Sequence, residues 1–253
     1  MQREYTTPAG NYSRLYNEML NQVHLLIAGA TGSGKSTVVN GIMHAALFRA
    51  PSELQLVLID PKGTELIEYR GLPHCISYAQ TTDECINALQ TTLDTVNRRF
   101  KAMQRSRQRL FNGPDIYVVI DELMYLFNRP EIKKRAMQLL QDILVIARAA
   151  RVHVIACTQN PTTATIPATL RCNFDSRIGL RTATAQDSRN VIGVRGCEAF
   201  PVPSIEKRAF GAVMINGVVN VYNLQKIDDC ERARLIDYWT RNRKIKFRLF
   251  NRG

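Results

Sequence analysis

The segment Gly29-Ala30-Thr31-Gly32-Ser33-Gly34-Lys35-Ser36, followed by Thr37, fits the spacing GxxxxGK[ST]. Glycines at this spacing let a backbone wrap closely and turn its N–H groups inward toward a polyphosphate. In that chemistry Lys35 reaches the β- and γ-oxygens of ATP, and the Ser36 hydroxyl takes a position on Mg²⁺. A helix that follows aims its N-terminus at the anion. Residues 29–37 are thus the expected nucleotide cradle; the competing reading is a plain glycine-rich turn. A second feature is Tyr117-Val118-Val119-Ile120-Asp121-Glu122, an apolar run ending in paired carboxylates. Asp121 would hold Mg²⁺ through water and Glu122 would polarise an attacking water, unless the pair is a solvated acidic turn. Gln159, after the apolar run Val152–Cys157, would sense a γ-phosphate or position water, or else cap a loop.

These residues need a scaffold that brings distant segments to one place. Val23–Ala28, Leu54–Ile59, Ile116–Ile120 and Val152–Cys157 read as short buried strands. Helices are expected over residues 35–49, 82–110 and 131–150. The second carries Ile86, Leu89, Leu93, Val96, Phe100 and Met103 as one apolar stripe. Strands separated by helices of this length require parallel crossovers, so the expected fold is α/β, with helices on both faces of a mostly parallel sheet. Gly29, Asp121 and Gln159 then leave the same sheet edge, where ligands bind. Arg177–Leu180, Ala209–Ile215 and Val218–Tyr222 read as further strands. Asn216-Gly217 predicts a hairpin that adds an antiparallel edge. Residues 1–22 read as an irregular lead-in, 23–225 as the main domain, and 226–253 as a basic helix and tail.

The chain has 253 residues, 45% of them hydrophobic and 22% charged, with a formal net charge of +12. Such a surface favours polyanions, nucleic acid first. Arg98, Arg99, Lys101, Arg105, Arg107 and Arg109 crowd one helix end, and further cations run from Arg232 to Arg252. Each cluster is either a solvated helix face or a contact to phosphate or a neighbouring subunit. No apolar run is long enough for a membrane span, and residues 1–22 lack the apolar core of a secretory signal. Six cysteines without CxxC or zinc spacing read as free thiols, which points to the cytoplasm. An NKxD-type guanine-reading motif is absent, and the region 160–169 is too short and uncharged for an acceptor lid. ATP hydrolysis with the energy going into motion is the expected reaction.

Five stretches together resemble the FtsK/HerA-type DNA-translocating ATPases, specifically the FtsK-like motor core. They are HLLIAGATGSGKS (24–36), IDPKGTEL (59–66), VVIDEL (118–123), ARAARVHVIACTQNP (147–161) and RIGLRTATAQDSRNVIG (177–193), in family order. The resemblance implies a RecA-like P-loop NTPase subunit. It also implies a hexameric ring, ATP hydrolysis between subunits, and duplex DNA drawn through the pore, while the isolated chain is monomer or ring. By resemblance Lys35 and Ser36 are the phosphate-loop lysine and metal ligand, Asp121 and Glu122 the Mg²⁺ carboxylate and catalytic base, and Gln159 the polar sensor. Arg148, in the ARAA stretch, is expected to reach a neighbour's nucleotide; its topology, at a helix end entering a strand, agrees. A bond to its own helix terminus is the alternative, and Arg181 and Arg189 are rival interface arginines. The loop Thr162–Asn173, with Thr162, Thr163, Thr165 and Arg171, is the preferred pore element. Asn160 departs from the family's usual arginine. Upstream membrane helices and a downstream winged-helix domain are missing, so membrane association would come only through parts outside this chain. A conjugation coupling protein of a mobile element fits by analogy. A secretion-type ATPase of the same superfamily, and a nucleotide-binding nucleic-acid switch with little turnover, are the alternatives.

Overall fold

A computed structural model describes residues 11–163, 166–203 and 209–242. Eight strands form one sheet: β1 (His24–Ala28), β2 (Leu54–Ile59), β3 (Cys75–Ala79), β4 (Asp115–Ile120), β5 (Val152–Thr158), β6 (Ser176–Gly179), β7 (Ala209–Ile215) and β8 (Val218–Leu224). Their order is β3-β2-β4-β5-β1-β6-β7-β8. From β3 to β6 all pairings are parallel, and β6–β7 and β7–β8 are antiparallel. The architecture is therefore α/β, mostly parallel with an antiparallel hairpin at one edge, as expected.

Alternation along the central strands divides the core in two. Leu25 and Ile27 of β1 and Tyr117 and Val119 of β4 face one layer. Leu26, Ile116, Val118 and Ile120 face the other. The first layer is covered by α1 (Asn11–Leu20), α2 (Lys35–Ala46) and α8 (Asp229–Arg241); the second by α3 (Thr82–Ser106), α4 (Leu123–Phe127) and α5 (Pro130–Ile146). The remaining helices are the short α6 (Ala168–Arg171) and α7 (Ala185–Ile192).

Several elements differ from expectation. Residues 11–20, read as irregular, form α1, which buries Leu15, Tyr16, Met19 and Leu20 against α2. Gly41 makes this packing possible: a Cβ there would lie 2.4 Å from Tyr16 Cζ. The Tyr16 hydroxyl donates to Gln225 O at 2.7 Å, tying α1 to the chain beyond β8. The C-terminal helix docks on the same layer, with Leu235 buried and Trp239 Nε1 donating to Leu47 O at 2.7 Å. Residues 1–10 of the lead-in and the basic tail from Arg243 onward lie outside the described residues.

β3 and α7 were not expected. β3 is a half-exposed edge strand without an apolar run. α7 has only eight residues, between the cap Thr184, which accepts from Asp187 N–H, and Gly193. Helix α3 starts in a capping box of Thr81 and Glu84 and stops at Ser106, short of residue 110, where Arg107 turns left-handed at φ 54°. The expected stripe faces the core, with Leu89, Val96 and Met103 buried and Ile86, Leu93 and Phe100 partly buried against it, and the buried face extends beyond that stripe through Thr92 and Arg99. Arg99 is thus neither a solvated nor a phosphate-facing cation. Its guanidinium is buried, donates to Ala150 O at 2.7 Å and lies over the Phe111 ring.

Candidate functional site

The phosphate loop leaves β1 at Gly29. Its root is anchored by Gly29 N–H to Thr158 O at 3.2 Å and Ala30 N–H to Arg181 O at 2.8 Å. Gly34 has φ 99°, and a Cβ there would lie 2.4 Å from Ala209 Cβ, so both conformation and space demand glycine. As the N-cap of α2, Gly34 offers no side-chain acceptor. The first N–H groups of a 12-residue helix are therefore uncapped by any side chain at the cleft, a positive end suited to an anion. Lys35 Nζ donates to Gly29 O at 2.8 Å and Ala30 O at 3.4 Å. Burial pulls the Lys35 ammonium below its usual lysine value, against the opposing pull of Cys157, Glu122 and Asp121.

A cleft of about 430 Å³ opens over this loop. Thr31, Gly32, Gly34, Lys35, Ser36 and Thr37 form one wall, and Asp121 and Gln159 enter from the ends of β4 and β5. Gly29, Ala30 and Ser33 stand behind that wall, and the buried Ser33 Oγ has no hydrogen-bond partner among the described residues. Asp121 has its carboxyl pushed up to about 6 by burial first, then by Glu65, Asp60 and Glu122. Glu122 is buried beside it. Its Oε1 accepts from Met124 N–H at 3.2 Å, capping α4, and from Gln159 N–H at 3.4 Å. The Gln159 side chain in turn accepts from Thr31 Oγ1 at 3.0 Å. A chain of polar contacts thus runs from the phosphate loop through Gln159 to Glu122. Ser36 and Asp121, both oxygen donors, line the cleft. That donor set suits Mg²⁺ completed by phosphate and water oxygens.

Sequence reasoning missed the opposite wall, which is Lys62, Thr64 and Glu65 from the turn after β2, and also Pro203, which lines the cleft on the Gly34 side. The IDPKGTEL stretch was visible, but its nearness to the phosphate loop depends on β2 pairing with β4.

Arg148 lies elsewhere. It is exposed on the turn between α5 and β5, at the start of a seven-residue strand whose far end carries Gln159. At about 3.3 Å per residue the two are separated by roughly 20 Å. Arg148 is therefore outside its own cleft, on the opposite sheet edge. Arg189 is engaged with Gln186 Oε1, and Arg181 contributes its carbonyl to the phosphate loop. In the loop 162–173, Thr163 is exposed and Arg171 half-buried on α6, while Thr165 lies outside the described residues. Among the described residues no helix is long and apolar enough to cross a membrane.

Comparison with known proteins adds identity to this geometry. DNA translocase FtsK of Staphylococcus aureus is 36% identical over 201 residues, which cover 71% of this chain and 25% of that protein. The chain thus spans about a quarter of the length of the curated relatives it matches. The solved structure of the pCW3 conjugation coupling protein TcpA, a monomer form with ATPγS, superposes with a TM-score of 0.74 at 20% identity. It covers 87% of this chain and 66% of that one. The cytoplasmic domain of the type VII secretion ATPase EccC from Thermomonospora curvata gives a TM-score of 0.69 at 24% identity, over 87% of this chain and 28% of the other. At these identities the two structures speak for the fold alone. The FtsK/SpoIIIE family profile matches residues 11–200, from the first turn of α1 to the segment beyond α7 that leads to Pro203, and the chain belongs to that family.

Proposed function

We propose that this chain is an ATP-hydrolysing motor subunit that moves duplex DNA, acting as a hexameric ring in chromosome or plasmid segregation or in conjugative transfer. The observation that carries the reading is the meeting of phosphate loop, Asp121 and Gln159 on one cleft, with Glu122 directly behind, hydrogen-bonded to Gln159. The likeness to DNA translocases along 201 residues and the net charge of +12 support DNA as the substrate.

In this mechanism the phosphate loop and the N-terminus of α2 bind the triphosphate, and Lys35 exchanges its loop carbonyls for phosphate oxygens. Held by Ser36 and Asp121, a magnesium ion would supply charge neutralisation at the β- and γ-phosphates. Glu122 orients the attacking water and takes up its proton, while Gln159, bonded to Thr31, reports the state of the loop to Glu122. Arg148 faces away from this cleft and serves the nucleotide of the next subunit.

ATP turnover measured with and without duplex DNA tests the proposal. Stimulation by DNA supports it. Turnover indifferent to DNA favours a protein-moving secretion ATPase, which the fold likeness to EccC keeps in view. Binding without turnover favours a nucleotide switch.

A further inference from the structure

The turn after β2 brings a second lysine to the cleft, on a platform built for rigidity. Asp60 is fully buried. Its carboxylate accepts the N–H groups of Gly63 at 2.9 Å, Glu65 at 3.2 Å and Leu66 at 2.9 Å, and the Tyr78 hydroxyl at 3.2 Å. Asp60 N–H donates to Ala79 O at 2.9 Å, closing the turn against β3. A buried carboxylate spent on backbone N–H groups fixes the path of the chain. What that path presents to the cleft is Lys62, Thr64 and Glu65. Lys62 is exposed, and it forms no ion pair among the described residues.

Sheet order decides where this lysine stands. β5 and β4 separate β1 from β2. At about 4.8 Å per strand, the turn lies roughly 14 Å along the sheet edge from the phosphate loop. Asp121 and Gln159 leave the strands between them. A triphosphate held at one end by the loop and α2 would direct its terminal phosphate toward Gln159 and Asp121, with the turn after β2 beyond them. From this placement we infer that Lys62 contacts the terminal phosphate from the side opposite Lys35, and so discriminates a nucleoside triphosphate from a diphosphate. The inference rests on the nucleotide reading of the cleft given above. Lys62 also stands near enough to disfavour the protonation of both Lys35 and Asp121, as a cation facing both would.

The test uses Lys62→Met and Lys62→Arg in the full chain, titrated with Mg²⁺ and either ADP or a non-hydrolysable ATP analogue. Loss of a charged hydrogen bond should weaken analogue binding by about tenfold or more, with ADP affinity changed less than about twofold on the same reasoning. Lys62→Arg should keep most of the discrimination. Analogue affinity unchanged in Lys62→Met, or an equal loss for ADP and analogue, overturns the inference: the lysine would then be idle or act only as a general field. Lys35→Ala serves as the separate control. If Lys35→Ala changes neither nucleotide binding nor turnover, or the wild type binds neither nucleotide, the nucleotide reading itself fails and takes this inference with it.

Discussion

Replacing Asp115 with asparagine should destabilise the protein strongly while leaving its nucleotide cleft intact. Asp115 opens β4 with its side chain 9% exposed. Its carboxylate accepts from Arg49 Nη2 at 2.5 Å, Arg151 Nε at 2.6 Å and Nη2 at 2.9 Å, and is 3.4 Å from His153 Nε2. Burial by itself would push this carboxyl up, but hydrogen bonds from His153, Arg151 and Arg49 outweigh it and hold the group far below the usual carboxylate range. Breaking one partner of a buried ion pair costs about 3–5 kcal/mol. Arg49 and Arg151 are 28% and 33% exposed, so water recovers part of that. A loss of about 2–4 kcal/mol is expected, or a Tm lower by roughly 5–15 °C. The pH dependence has a definite sign. A carboxyl depressed in the folded state contributes fully above its unfolded pKa of about 3.9 and loses that contribution as pH falls toward the folded value. The gap between wild type and variant should therefore be constant from neutrality to about pH 5 and narrow by about 1.4 kcal/mol per pH unit below about pH 4. Urea unfolding at pH 7.5, 5 and 3.5, beside nucleotide titration, measures this. A loss under about 1 kcal/mol at pH 7.5, well below the buried-pair range, or a gap that acid does not narrow, would refute the reasoning. The same pair holds Arg151 at φ 55°, a left-handed conformation uncommon for arginine, in the turn that displays Arg148. Arg99 clamps that turn from beneath.

Other expectations address the site and its supports. Glu122→Gln should bind ATP yet hydrolyse it about 10²–10⁴-fold more slowly, as loss of a general base requires; wild-type turnover in a steady-state assay would remove Glu122 from that role. Lys35→Ala should abolish nucleotide binding or hydrolysis, read by titration and turnover. Arg148→Ala subunits mixed with Glu122→Gln subunits should recover some activity, because each variant lacks what the other supplies across an interface; absence of rescue at every ratio would count against action on a neighbour. Gly41→Ala should lower stability by about 1–3 kcal/mol through overpacking against Tyr16, although alanine is the better helix former by about 1 kcal/mol. An unchanged Tm would show that α1 gives way without cost.

How much was legible in the chain itself differs from residue to residue. Gly29 to Thr37, the pair Asp121–Glu122 and Gln159 were readable because each sits at the end of a short apolar run whose length announces a buried strand. Parallel connectivity then sends those ends to one edge. Asn216-Gly217 announced its hairpin in the same local way. Residues whose meaning depends on a distant partner were not readable. Tyr16 looks like part of a polar lead-in until Gly41 leaves room for its ring. Arg99 counts as one cation in a basic cluster until α3 rotates it under Ala150. Lys62 lies in a recognisable stretch, yet nothing local says that β2 pairs with β4, which brings its turn opposite the phosphate loop. Spacing along the chain determines local conformation and hence the chemistry each strand end can offer. The order in which strands pair, and which helix covers which face, is a collective result of packing, and that alone decided what stands across the cleft and what stands behind it.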